Sequence, residues 1–130
     1  MKKVVVFGVF DLLHPGHLYF LSEARKQGDH LIVVVTRDAR VKHEKKHKPI
    51  FSEHERLQIV AALKGVDKAM LGDKVGEWMI LKKLKPDVLC VGYDQMQAIN
   101  AVGVLSKVPR IVRVKSFQPK KYKSSMYARH

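Results

Sequence analysis

The chain has 130 residues, 46% of them hydrophobic, and carries 25 Lys and Arg against 12 Asp and Glu, a formal net charge of +13. That length supports one domain with a buried core, residues 1–130, and the composition excludes a disordered chain; no apolar run reaches the ~20 residues that cross a bilayer. A single cysteine, Cys90, excludes a disulfide framework and a cysteine-rich metal site and fits a cytoplasmic protein, and the surplus positive charge suits phosphate-bearing partners.

The first apolar run, Val4-Val5-Val6-Phe7, reads as a buried strand rather than a leader, because it is short and Asp11 and His14 follow it. The segment Gly8-Val9-Phe10-Asp11-Leu12-Leu13-His14-Pro15-Gly16-His17 then leads into a helical pattern over residues 15–27, with Gly28 as its expected stop. Pro15 suits the first helical position, and Gly16 lets a ligand approach the backbone. A helix start offers unpaired N–H groups and partial positive charge, so His14 and His17 beside it form an expected phosphate site. A metal site would need further ligands, and none is evident nearby. Asp11 is expected to organise the loop by accepting backbone N–H bonds.

Residues 31–35 form the second expected strand. A basic run follows in residues 37–48, as open to a solvated reading as to a phosphate-binding one. Ser52 with Glu55 three residues on marks a capping box for a helix ending at Gly65. Arg56 in its first turn could pair with Glu53 or Asp67. Residues 68–71 form a third strand, and residues 76–84 a helix that ends before Pro86. Trp78 reads as a core or contact aromatic in preference to a base platform. Residues 88–91 make a fourth strand, Gly92-Tyr93-Asp94-Gln95 a turn at its end, residues 96–106 a helix and residues 111–114 a fifth strand. Ser124 and Ser125 could cap a further helix. Alternating strands and helices predict an α/β fold, a Rossmann-like doubly wound parallel sheet of about five strands, with ligands beyond the C-terminal strand ends. There is no GxGxxG and no GxxxxGK[ST], and no nucleic-acid-reading motif accompanies the basic runs, so nucleic acid and membrane are not expected partners.

The segment from Gly8 to His17 resembles the GxFDxxHxGH motif of the cytidylyltransferase-like nucleotidyltransferases, with Val9 where that family usually has Thr. The resemblance extends along most of the chain. Lys48-Pro49-Ile50, residues 52–56, Leu71-Gly72-Asp73 and residues 84–95 look most like archaeal FAD synthases, although residues 96–107 lack their acidic run. It implies transfer of AMP from ATP to FMN, giving FAD and pyrophosphate. Transfer from CTP to glycerol 3-phosphate, another phosphoalcohol or a sugar phosphate is the alternative, and a non-catalytic nucleotide- or RNA-binding module the second.

Carried over residue by residue, the resemblance implies that Gly8, Val9, Phe10, His14, Pro15, Gly16 and His17 bind the nucleotide, and that His14, His17, Lys42 and Arg56 are the catalytic residues. It implies that Lys42, with Lys45 and Lys46 as alternatives, contacts the transferred phosphate and that Arg56 helps hold the nucleotide. Gly92 and Asp94 would line the nucleoside pocket, Phe117 would be an aromatic nucleotide contact, and Ser124 and Ser125 would meet the β- and γ-phosphates. A divalent ion, Mg²⁺, would arrive with the nucleotide, and the protein would be a homodimer. The acceptor is a phosphate monoester, whose second ionisation falls near pH ~6, so no general base is required.

Overall fold

The runs at residues 4–6, 31–35 and 88–91 are rich in β-branched residues and hold no polar side chain, which suits strands covered on both faces. The computed structural model describes residues 1–45, 47–74, 78–92, 102–105 and 109–115. Within them, β1 (Lys3–Gly8), β2 (His30–Val35), β3 (Lys68–Leu71), β4 (Val88–Val91) and β5 (Arg110–Arg113) pair in the order β3-β2-β1-β4-β5, every pair parallel. The fold is therefore the expected Rossmann-like α/β sheet. In register, Val5 sits between Ile32 on β2 and Leu89 on β4.

The period of two divides the core. Val4, Val6, Leu31, Val33, Val35, Val88 and Cys90 face one side, where Leu21 and Ala24 of α1 (Pro15–Arg25) and Val60 of α3 (Glu53–Ala61) cover them. Val5, Phe7, Ile32, Val34, Leu89 and Val91 face the other, under Leu81 of α4 (Met79–Leu84) and Val102. Cys90 is a buried core residue, and burial pushes its thiol up to about 11, so it is inert. Among the described residues, no helix is long and apolar enough to cross a membrane.

The two edges of the sheet differ chemically. Where the strands begin, aspartates complete the pairing. Asp67 Oδ2 accepts from the Leu31 N–H at 2.7 Å, Asp87 Oδ2 from Lys3 N–H at 2.8 Å, and Asp29 Oδ2 from Lys2 N–H at 3.0 Å. These carboxylates hold the fold together at the N-terminal edge. The opposite edge carries the groups that could meet a ligand.

Several boundaries differ from expectation. α1 ends at Arg25, and Lys26 caps it in right-handed conformation, so Gly28 is not its stop. Gly28 is needed instead for close approach: a Cβ there would lie 2.7 Å from the Lys2 carbonyl oxygen and from Val4 Cγ2. α3 stops at Ala61, with Gly65 (φ 93°) turning the chain after it. The helix expected from residue 76 begins at Met79, residues 75–77 lying outside the described ones. Of the helix expected over residues 96–106, only residues 102–105 are described, with a single 3-10 turn at Val102–Val104. The basic run contains a helix that apolar periodicity did not reveal, α2 (Asp38–Lys45). Its buried side chains among residues 38–43 are Arg40 and Val41, too few to make a periodic stripe.

Candidate active site

The strand order reverses between β1 and β4, the place where parallel α/β sheets take their ligands. The loop after β1 enters α1 through a cap made of imidazoles. His14 is extended (φ −142°, ψ 171°), and its Nδ1 accepts from the Gly16 N–H at 3.1 Å. The His14 N–H in turn donates to His17 Nδ1 at 3.3 Å, a reciprocal capping box in which histidines replace the usual Ser and Glu. The two rings stack with centroids 3.9 Å apart. Pro15 occupies the first helical turn as expected.

This geometry settles the tautomer. A ring nitrogen that accepts an N–H carries no proton, so each neutral imidazole keeps its proton on Nε2. Burial lowers the His14 pKa from its ordinary value. Burial, then the neighbouring His14, pushes His17 down to about 4. Both rings are therefore neutral Nε2–H donors at pH 7, set beside the first-turn N–H groups of α1. The arrangement can hold anionic oxygens without placing an imidazolium there.

A ring titration by nitrogen-resolved NMR of the ligand-free protein should show His17 changing charge near pH 4, with the Nε2–H tautomer above it. The neutral ring is favoured in the fold, so its contribution to stability is whole above about pH 6.5 and is lost as pH falls from there toward 4. A midpoint at 6.5 or higher, or an Nδ1–H tautomer, would contradict the capping geometry.

Two non-glycine residues of the loop, Phe10 and Leu12, sit at φ 54°. Such backbone persists only where the surroundings over-determine it, and it clusters at functional sites. Phe10 is buried and meets the His17 ring edge-on at 5.7 Å. Gly8 allows this: a Cβ on it would lie 2.6 Å from the Phe10 ring. Nothing in the residue types of Phe10 and Leu12 signals a left-handed backbone.

Asp11 organises the loop as expected. It is buried, and its carboxylate accepts from the Ile50 N–H at 2.7 Å and the Phe51 N–H at 3.0 Å. That bond set joins the loop to the segment leading into α3, whose Ser52–Glu55 capping box forms as read.

Arg56 is placed differently from the expectation. It is fully buried, with 0% exposure, and has no surface to offer a nucleotide. Its Nε donates to the Phe51 carbonyl at 3.1 Å and its Nη1 to the carbonyls of Val9 at 2.8 Å and Thr36 at 2.7 Å. Its Nη2 pairs with Asp38 Oδ1 at 2.6 Å, in place of Glu53 or Asp67. Asp38 and Glu53, which the sequence reading did not single out as site residues, exchange bonds between the starts of α2 and α3. The Asp38 N–H donates to Glu53 Oε1 at 2.9 Å, and the Glu53 N–H to Asp38 Oδ2 at 3.2 Å. The only local signal was an acidic residue at each helix start.

Lys42 is exposed on α2, one turn beyond its start at the end of β2. Trp78 belongs to the core. Its ring meets Phe7 edge-on at 5.5 Å, and the Arg40 guanidinium lies over it at 4.2 Å. Gly92 stands at the C-terminal end of β4. Asp94, Phe117, Ser124 and Ser125 lie outside the described residues. Among the described residues, no three His, Cys, Asp or Glu side chains cluster as a metal site.

The family model for cytidylyltransferase-like proteins matches residues 5–130. This chain belongs to the cytidylyltransferase-like family. A FAD synthase of Ferroglobus placidus is 54% identical over 118 residues, covering 85% of this chain and 76% of that protein. A FAD synthase of Archaeoglobus profundus is 43% identical over 132 residues, covering 96% of this chain and 82% of that one. The solved lipopolysaccharide core biosynthesis protein of Thermoplasma volcanium is 38% identical with TM-score 0.79, covering 91% of this chain and 99% of that structure. A pantoate-beta-alanine ligase of Francisella tularensis, 18% identical with TM-score 0.61 and covering 95% and 66%, shares the fold. This cytidylyltransferase-like chain is thus a nucleotidyltransferase by family, with its histidine-capped helix start at the switch point of the sheet.

Proposed function

We propose that this chain is an FMN adenylyltransferase: it transfers AMP from ATP to the phosphate of FMN, yielding FAD and pyrophosphate. The observation that carries the acceptor is the identity of 54%, 45%, 43% and 52% to four FAD synthases over most or much of the chain. In the reaction, an FMN phosphate oxygen forms a bond to the α-phosphorus of ATP. The bond from that phosphorus to the bridging oxygen of the β-phosphate breaks, and pyrophosphate leaves with the electron pair.

The acceptor is already an anion near neutrality, so the chain need not remove a proton. Its tasks are alignment and stabilisation of the charge that gathers on the α-phosphate and the leaving group. The Nε2–H groups of His14 and His17 serve the triphosphate, at the positive end of the α1 dipole. Lys42 reaches the transferred phosphate from α2. Gly8, Val9, Phe10 and Gly16 let the backbone approach the nucleotide, and Gly92 borders the nucleoside, with Asp94, Phe117, Ser124 and Ser125 assigned by likeness to the family. A divalent ion such as Mg²⁺, arriving on the triphosphate, would neutralise charge there. A cytoplasmic homodimer belongs to the same reading; equilibrium sedimentation showing monomer alone would remove the dimer from it.

One observation favours a second reading. The Thermoplasma volcanium neighbour is described as a lipopolysaccharide core biosynthesis protein, which keeps a phosphoalcohol or sugar phosphate acceptor in view. Pyrophosphate release separates the two, with ATP or CTP and Mg²⁺, each paired with FMN, glycerol 3-phosphate or no acceptor. Release with ATP and FMN alone, accompanied by FAD, is the expected result. Release with CTP and a phosphoalcohol replaces it with the second reading.

A further inference from the structure

Three segments at the C-terminal edge of the sheet meet on one buried guanidinium: the loop after β1 through the Val9 carbonyl, the end of β2 through the Thr36 carbonyl, and α2 through Asp38. We propose that Arg56 is a positioning residue for nucleotidyl transfer, fixing the helix start that bears His14 and His17 relative to the helix that bears Lys42, without touching the nucleotide. The inference rests on the reading given under Proposed function.

Two features of the chain make such a brace necessary. The loop from Val9 to Leu12 contains two left-handed non-glycine residues, and backbone of that kind needs external restraint. The Arg56 bond to Val9 precedes the first of them, and the Asp11 bonds to residues 50 and 51 lie between the two. α2 has little apolar packing to place it, with only Arg40 and Val41 buried among residues 38–43. Its start is held by directional polar bonds, donated by Arg56 to Asp38 and exchanged between Asp38 and Glu53. Arg37 adds a bond from Nε to the Gly72 carbonyl at 2.7 Å and a contact to Glu53 at 3.4 Å. A planar guanidinium donates in several fixed directions at once, which a lysine ammonium on its flexible stem does not reproduce.

The test is Arg56→Lys, which keeps the charge and loses the fork. Folding is checked by circular dichroism, ATP affinity by calorimetry without acceptor, and kcat and KM by pyrophosphate release. The expected result is a fall in kcat of about 100-fold, the size a misplacement of about 1 Å produces, with ATP affinity and both KM values within a few-fold of wild type. A large loss of ATP affinity with kcat retained would mean that Arg56 contacts the nucleotide and would overturn the proposal. A lowered melting temperature with unchanged kcat per folded molecule would also overturn it, leaving a structural role alone. If Arg56→Lys does not fold, Asp38→Asn is measured for the same split between kcat and KM, because it loosens one corner of the brace and leaves the guanidinium in place.

Failure of the functional reading is separable from failure of this one. If the wild type prefers another nucleotide and acceptor, the split is measured with that pair. If it accepts no pair, the His17 ring titration decides. A midpoint that moves from about 4 toward 6.5 in Arg56→Lys supports the brace, since a loosened loop rehydrates the ring; an unmoved midpoint overturns it.

Discussion

Replacing His17 by alanine is expected to lower kcat for pyrophosphate release by about 10²–10³-fold while the chain stays folded. The magnitude follows from the loss of one preorganised donor at a place where negative charge builds. His17 Nδ1 is already committed to the His14 N–H at 3.3 Å, so Nε2 is the nitrogen that can serve a phosphate. The structural cost is small by comparison: one capping bond worth about 1 kcal/mol, in a helix still started by Pro15. Steady-state kinetics beside a circular dichroism spectrum separate the two effects. His17→Gln, which restores an N–H donor at similar reach, should recover part of the rate. Turnover within a few-fold of wild type in His17→Ala would remove the imidazole from the mechanism.

Arg56→Met is expected to reduce the unfolding free energy by about 3–5 kcal/mol, read from urea unfolding curves. Methionine fills much of the volume but satisfies nothing. The carbonyls of Val9, Thr36 and Phe51 lose their side-chain donor in a water-poor place, and Asp38 loses its partner. Asp38 is partly exposed and can rehydrate, so the larger share of the cost comes from the carbonyls. The Glu23–Lys26 pair makes the contrast. Its atoms are as close, at 2.6 Å, yet Lys26 is exposed, and screening leaves such pairs worth little. An Arg56→Met protein as stable as wild type would show that water enters to replace the guanidinium.

Much of the fold was legible in the residues alone. Val4, Val5 and Val6, the run from Leu31 to Val35, and Val88 to Val91 are β-branched or apolar through their whole length, a pattern that only strands covered on both faces tolerate. Helical punctuation between them then implies parallel order. The helix start at His14 to His17 was legible for a different reason: its capping bonds run between residues two and three apart, so the local spelling contains both members of each. The same holds for Ser52 and Glu55.

α2 was not legible, because it is held at its start by polar bonds and packs few apolar side chains, and periodicity reports only the latter. The place of Gly28 after a helical pattern suggests a helix stop; what it accommodates is the Lys2 carbonyl, just before β1. Trp78 was read correctly as a packing residue, yet its partners Phe7 and Arg40 come from distant parts of the chain.

Sequence alone determined the strand set, the parallel α/β architecture, the family resemblance and the helix start at His14, since each follows from composition or from neighbours a few residues apart. Asp11 was legible as an acceptor of backbone N–H bonds, but only the tertiary structure decided which groups Arg56 and Asp11 satisfy. Their partners lie up to 47 and 40 residues away, and which carbonyl or N–H a buried polar side chain satisfies depends on which loops the folded sheet brings together. Hydrophobic periodicity specifies which face of an element is buried; it does not specify which distant backbone group will be waiting there without a partner.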